Sequence, residues 1–271
     1  MREESKSFIT VDSPAVMTNA HTQKTVSAVE TSFEILDILA KIEPAGVSEI
    51  TEEIQMSTST VFSHVSTLVQ EGYVIKNDTK YVRSLRFLEA AGTVRQRCEA
   101  TQHLREHVIE LASETGEIAG AATEERGQRV ILYRSAGEMA AGDKLPIGAH
   151  SNLHWTSLGK ALLAHLPPER RSEIVAQHGL PRGTGNTFTE RDALGEELER
   201  IRQQGYAVDD EEHLSGVRGI AVPIFDSQEN VIASLGLTGP RSRFDPSHLT
   251  SLLRHLERAK NESEVRIQYY A

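Results

Sequence analysis

Residues 57–68 read "STSTVFSHVSTL", a stretch dense in hydroxyls and without Lys or Arg. On a helical wheel Val61, Val65 and Leu68 share one face, bordered by Val69, and Ser59, Thr60, Ser63, Ser66 and Thr67 share the opposite face. Small hydroxyls suit a helix that must enter a groove about 12 Å wide. Each can donate to or accept from a phosphate or a base edge, and a helix start at 57–60 adds backbone N–H groups for a phosphate. Ser57, Thr58, Ser59, Thr60, Ser63 and His64 are therefore candidate DNA-contacting residues. The same composition suits an ordinary solvated helix, so the decision rests on the neighbouring elements.

A second group of residues suits a small molecule. In "LHWTSLGKALLA" (153–164), Thr156 and Ser157 stand at a helix start, where hydroxyls and N–H groups favour a carboxylate. Trp155 suits an apolar wall or a core position equally. In "VDDEEH" (208–213), strand alternation puts Asp209 and Glu211 on one face and Asp210 and Glu212 on the other; the run reads as a pocket wall or as a solvated acidic edge. In "GLTG" (236–239), Gly236 and Thr238 point the same way and permit close approach of a ligand. The candidate ligand residues are Leu145, His154, Trp155, Thr156, Ser157, Leu158, Asp209, Gly236 and Thr238. His150 and His154, four apart, would pair on a metal if helical, with His213 among carboxylates nearby; Pro146 and Gly148 argue against that helix. No metal and no cofactor is assigned. No G-x-S-x-G elbow occurs, and Cys98 sits in a polar helix without an evident base, so no catalytic residue is assigned.

The elements that must carry these residues form two domains. In "TVSAVETSFEILDILAKI" (25–42), Val26, Val29, Phe33, Leu36 and Ile38 read as one apolar helical stripe, ended by Pro44 and Gly46. "VSEITEEI" is a second short helix, the hydroxyl-rich stretch a third, closed by Gly72. "YVIK" and "KYVR", separated by Asn77, Asp78 and Thr79, read as a hairpin. Three helices and a two-stranded ribbon are the order of a winged helix-turn-helix, assigned to residues 21–83. Lys76, Lys80, Arg83, Arg86, Arg95 and Arg97 against Asp78 and Glu89 give residues 76–97 a net +4, and Lys76, Lys80 and Arg83 are candidate phosphate contacts on the wing. Residues 84–100 read as a linker helix, with Phe87 and Leu88 in a dimer seam.

Residues 101–271 form the second domain. "QRVILYRS", "GYAVDDEE", "RGIAVPIFD" and "VIASLGLTG" are strand-like, and the last three follow one another too closely for parallel crossovers. The fold class is α+β with an antiparallel sheet, and no G-x-G-x-x-G or Walker loop is present. The chain has 271 residues, one cysteine and a net charge of −10. These values exclude a disulfide framework, fit a reducing cytoplasm and disfavour indiscriminate coating of nucleic acid. Residues 1–20 are polar, lack the apolar stretch of a signal peptide and read as a disordered tail; no run is long enough to span a bilayer.

Three blocks, "TSLGKALLAHLP" (156–167), "GYAVDDEEHLSGVRGIAVPIFD" (205–226) and "LTGPRSRF" (237–244), follow the winged helix in an order that resembles the IclR family of transcription regulators, over residues 22–268. The resemblance implies an N-terminal DNA-binding domain and a GAF-like effector domain. It also implies a homodimer or dimer of dimers, a double-stranded DNA operator, a small organic effector, often an acid or aromatic, and no membrane. Three positions depart from the family pattern. Thr58 and Ser63 stand where family helices often carry Arg, and Gly219 stands where a Cys often follows the Arg of "GVR". The competing expectation is a standalone metabolite sensor, or a metal-dependent hydrolase, that does not bind DNA.

Overall fold

The computed structural model describes residues 24–96, 103–140 and 145–270. The expected tail at 1–20 and the end of the expected linker helix, 97–100, lie outside these residues. The chain divides into two compact units, the first within residues 20–97 and the second from residue 98 onward.

The first unit runs α1 (Ser27–Ile42), α2 (Val47–Ile54), α3 (Thr58–Gln70), β1 (Val74–Asn77), β2 (Lys80–Arg83) and α4 (Arg86–Gln96). Val61, Val65 and Leu68 of α3 are buried against Ile35, Leu39 and Ile50. β1 and β2 pair antiparallel from Val74 opposite Arg83 to Asn77 opposite Lys80. Asn77 thus belongs to the strand, and Asp78, at φ +54°, begins the turn. The stripe expected on α1 is corrected. The buried residues are Thr31, Ile35, Leu36, Ile38 and Leu39, whereas Val26, Val29 and Phe33 are exposed. At about 3.6 residues per turn, Val26, Val29 and Phe33 cluster on the side of α1 opposite Thr31, Ile35 and Ile38. Phe87 of α4 is also corrected. It turns back onto its own unit, edge-on to Tyr73 at 5.4 Å, while Leu85 and Leu88 stay exposed.

The second unit runs α5 (Leu104–Thr115), β3 (Ile118–Glu125), β4 (Gln128–Ala136), β5 (His150–Asn152), a 3-10 turn (Leu153–Trp155), α6 (Ser157–His165), α7 (Pro168–His178) and α8 (Arg191–Gln204). It continues with β6 (Ala207–Asp210), β7 (Val217–Phe225), β8 (Val231–Pro240) and α9 (Pro246–Tyr270). Six strands form one antiparallel sheet in the order β5-β4-β3-β8-β7-β6. The α+β antiparallel class expected from sequence is the class observed. One face packs Leu132, Ile220 and Leu235 against α5 and α9, and the other packs Ile131, Ala122 and Ala221 against α6 and α8.

Small residues let α6 lie close on its face. A Cβ at Gly236 would sit 2.9 Å from Leu158 Cδ2, and one at Gly159 would sit 2.1 Å from the Leu153 carbonyl oxygen. β4 carries a bulge: Tyr133 is opposite Ala121 and Ile131 is opposite Ala122, so Leu132 is the extra residue. Among the described residues no helix is long and apolar enough to cross a membrane.

Candidate functional site

The first candidate surface is the outer face of α3. Ser57 caps the helix, its hydroxyl accepting the Thr60 N–H at 3.2 Å. Ser59, Ser63, Ser66 and Thr67 are exposed, as expected. Their hydroxyl protons are already used in part: Ser63 donates to Ser59 O and Thr67 to Ser63 O, each at 3.0 Å. What these two offer outward is oxygen lone pairs, which suit base-edge amino donors. Phe62, missed from sequence, is exposed one turn from Ser59 and Ser66 and adds an apolar contact of the kind that reads a thymine methyl. His64 is corrected. Its Nδ1 lies 2.9 Å from Ser32 Oγ, so it joins α3 to α1.

The wing is corrected as well. Lys80 is ion-paired to Glu49, and Arg83 to Glu43 at 2.9 Å. Against the opposing effect of burial, the Arg83 bonds hold the Glu43 carboxyl below its usual range. These two cations are neutralised within the unit. Lys76 is exposed, lies 5.9 Å from the Tyr81 ring centre, and has no carboxylate partner among the described residues. Lys76→Ala should therefore weaken all duplexes alike and lower the salt slope by about one, with a smaller change for Lys80→Ala. Fluorescence anisotropy at several salt concentrations measures both slopes; a larger loss from Lys80→Ala would reverse the order.

The second candidate site is a cavity of about 280 Å³ between the α6 face of the sheet and the chain after β6. Leu145, Thr156, Ser157, Leu158, Asp209 and Thr238 line it. Thr156 caps α6 by accepting the Gly159 N–H at 3.1 Å. The N–H groups of Ser157 and Leu158 are left without an intrahelical acceptor at the cavity wall. Three expected residues are corrected. Gly236 lies beneath Leu158 as a packing position. His154 is buried and bonds through Nε2 to Pro181 O at 3.0 Å, and burial lowers its pKa against that bond. Trp155 donates to the same carbonyl at 2.8 Å and stacks on His213 at 5.3 Å, so it backs a cavity residue instead of forming the wall. His150 is on a strand and His154 on the following turn, so the pair does not share a helical face.

The cavity also holds what sequence reading missed. Arg129, only 4% exposed, and Arg134 both line it. Five apart on one strand, they would face opposite ways; the extra residue Leu132 restores them to the same face. The expected carboxylate site of hydroxyls and helix N–H groups thus also carries two guanidinium groups.

Asp209 faces this site, and its partner is Glu212 in place of the expected Glu211. The strand ends at Asp210, Glu211 turns away at φ +62° to pair with Arg241, and the Glu212 N–H donates to Asp209 Oδ1 at 2.8 Å. Glu212 in turn meets Lys160, wholly buried, whose Nζ is 2.6 Å from Glu212 and 3.2 Å from Glu197. Burial, reinforced by the Glu212 charge, pushes the Asp209 carboxyl up to about 7. Its folded value lies above its unfolded one, so the stability it contributes is full below about pH 4 and lost as pH rises through about 7. Calorimetry should show the melting temperature of the second unit falling between roughly pH 4 and pH 7, and Asp209→Asn should flatten that slope.

The "Bacterial transcriptional regulator IclR C-terminal" family model matches residues 93–263, and the "IclR helix-turn-helix domain" model matches residues 28–78. A probable HTH-type transcriptional regulator ArcR of Halobacterium salinarum is 28% identical over 90% of this chain and 94% of its own. The crystal structure of Thermotoga maritima IclR superposes with a TM-score of 0.77 at 28% identity, covering 90% of this chain and 99% of that one. The inducer-binding domain of an Acinetobacter PobR double mutant, in complex with 3-hydroxybenzoic acid, has a TM-score of 0.54 at 29% identity over 58% of this chain and 93% of its own. With a family model spanning more than half of its length and a helix-turn-helix model ahead of it, the chain belongs to the IclR family of transcriptional regulators.

Proposed function

We infer that the protein binds a palindromic operator as a dimer or dimer of dimers in the cytoplasm, and changes operator affinity when a small organic acid enters the second-unit cavity, without catalysing a reaction. The observation that carries this reading is the cavity itself: two arginines, a capped helix start and Thr238 line one space. A carboxylate at the arginines gains charge-assisted bonds, and a ligand hydroxyl can meet Asp209. That a PobR domain is described with 3-hydroxybenzoic acid supports an acid of this size. On the DNA side, Ser59, Phe62 and Ser63 read bases and Lys76 holds phosphate. One winged helix neutralises few phosphates, so two copies on a palindrome gain through effective concentration. Val26, Val29, Phe33, Leu85 and Leu88 are exposed apolar residues available for pairing.

The test selects bound fragments from genomic DNA and then titrates small organic acids. Binding is read by Trp155 fluorescence, since this single tryptophan stacks on a cavity residue, and operator affinity is read in parallel. An acid that changes both signals at one concentration supports the reading. Operator binding that no cavity ligand alters, or full operator affinity from a monomer in light scattering, would refute it.

A further inference from the structure

His107 and Glu110 stand three residues apart on α5 and so project from one helix face. α9 brings Glu262 to the same point. His107 is 2% exposed, and neither ring nitrogen makes a hydrogen bond among the described residues. Nε2 is sealed in the interior. Nδ1 faces the two carboxylates, 3.5 Å from Glu110 Oε2 and 3.7 Å from Glu262 Oε2, and the three donor atoms lie within 4.8 Å of one another.

These separations exceed the about 2.7–3.2 Å of a good N–H···O bond. They fit the edge of a coordination tetrahedron: metal–ligand bonds of about 2.1 Å at tetrahedral angles hold donors about 3.4 Å apart. We propose that His107, Glu110 and Glu262 bind a divalent transition-metal ion of the zinc class, joining α5 to α9 across one face of the second unit.

One imidazole with two carboxylates suits Zn²⁺; Mg²⁺ and Ca²⁺ are held by oxygen ligands alone. Glu110 and Glu262 are exposed, so the ion enters from solvent, and water completes its shell. The cation that zinc must compete with is Arg266 on α9. It pairs with Glu106 at 2.8 Å, and both carboxylates act on it electrostatically. Binding to the folded chain alone raises stability by mass action, so zinc should stabilise the second unit against heat.

The test uses the full, untagged chain stripped with chelator, titrated with ZnCl₂ by equilibrium dialysis and by thermal melting. One zinc per chain and a zinc-dependent rise in melting temperature are expected. Glu110→Gln and Glu262→Gln, both at exposed side chains that folding tolerates, should each weaken zinc binding about tenfold or more. The exposed control Glu257→Gln should bind as the parent does, and MgCl₂ should give neither binding nor stabilisation. Zinc bound equally by the parent and Glu262→Gln, or no zinc bound at micromolar concentration, would overturn the proposal and leave the cluster as an ion-paired histidine.

Discussion

Arg129→Met should abolish the response to a carboxylate effector while the operator is bound as before. Met keeps most of the stem volume that Arg129 contributes to the cavity wall and removes only the charged head. A hydrogen bond to a charged group is worth about 1.5–3 kcal/mol net, which corresponds to roughly a ten- to 150-fold loss of ligand affinity. A ligand shifts DNA affinity only through differential binding to two arrangements of the protein, so the response falls with the affinity. Calorimetry gives the ligand constant and a gel shift gives the operator constant. Ser157→Trp, which fills the helix start, should give the same pair of results from the other side of the cavity. If Arg129→Met binds the effector normally, the carboxylate lies elsewhere.

Lys160→Met should be the most destabilising single change in the second unit. Lys160 is wholly buried with Glu197 and Glu212 on its ammonium, and its Nζ lies 5.0 Å from the Phe188 ring centre. Breaking a buried pair by removing one partner costs about 3–5 kcal/mol, which lowers the melting temperature by on the order of 10 °C in a domain this size. The loss should depend on pH with a defined sign. Burial already raises the Glu212 carboxyl, although Lys160 opposes it, and the substitution removes that opposition. A carboxyl raised in the folded state is destabilising above its folded pKa, so the deficit should be large near pH 8 and smaller near pH 5. Thermal melts of the variant at both values test this; a deficit that grows on acidification would contradict it. Lys160→Met with Glu212→Gln should recover part of the loss.

What the sequence disclosed, and what it hid, follows from which signals are local. The helix-turn-helix was legible because Val61, Val65 and Leu68 alternate with hydroxyls at a clean helical period. β3 was not, because "IAGAATEE" is built of small residues with little strand preference, and it is a strand only because β4 and β8 pair with it on both sides. The α1 stripe misled because an apolar side chain on a helix reads as core wherever it points, and Val26, Val29 and Phe33 are exposed. Lys80 and Arg83 looked like phosphate contacts since Glu49 and Glu43 are distant in sequence. Arg129 and Arg134 bracket a visible strand, but simple alternation put them on opposite faces. Nothing in the sequence marks Lys160 as buried, and only its tertiary neighbours reveal it.

The bulge in β4 gives the cavity a means of changing its chemistry that leaves the amino acids around it alone. Both arginines face inward because one residue, Leu132, is surplus to the pairing with β3. With the bulge kept, inserting one further residue between Ile131 and Arg134 would turn Arg134 to the face packed against α5 and α9, halving the cationic lining of the cavity at one stroke. A point mutation swaps one side chain, whereas an inserted codon that no bulge absorbs re-sorts every position beyond it. Ligand preference in a sheet of this kind can therefore diverge by frame-preserving indels as well as by substitution. Relatives that differ in effector should be compared first by the length of this strand and then by the identity of its residues.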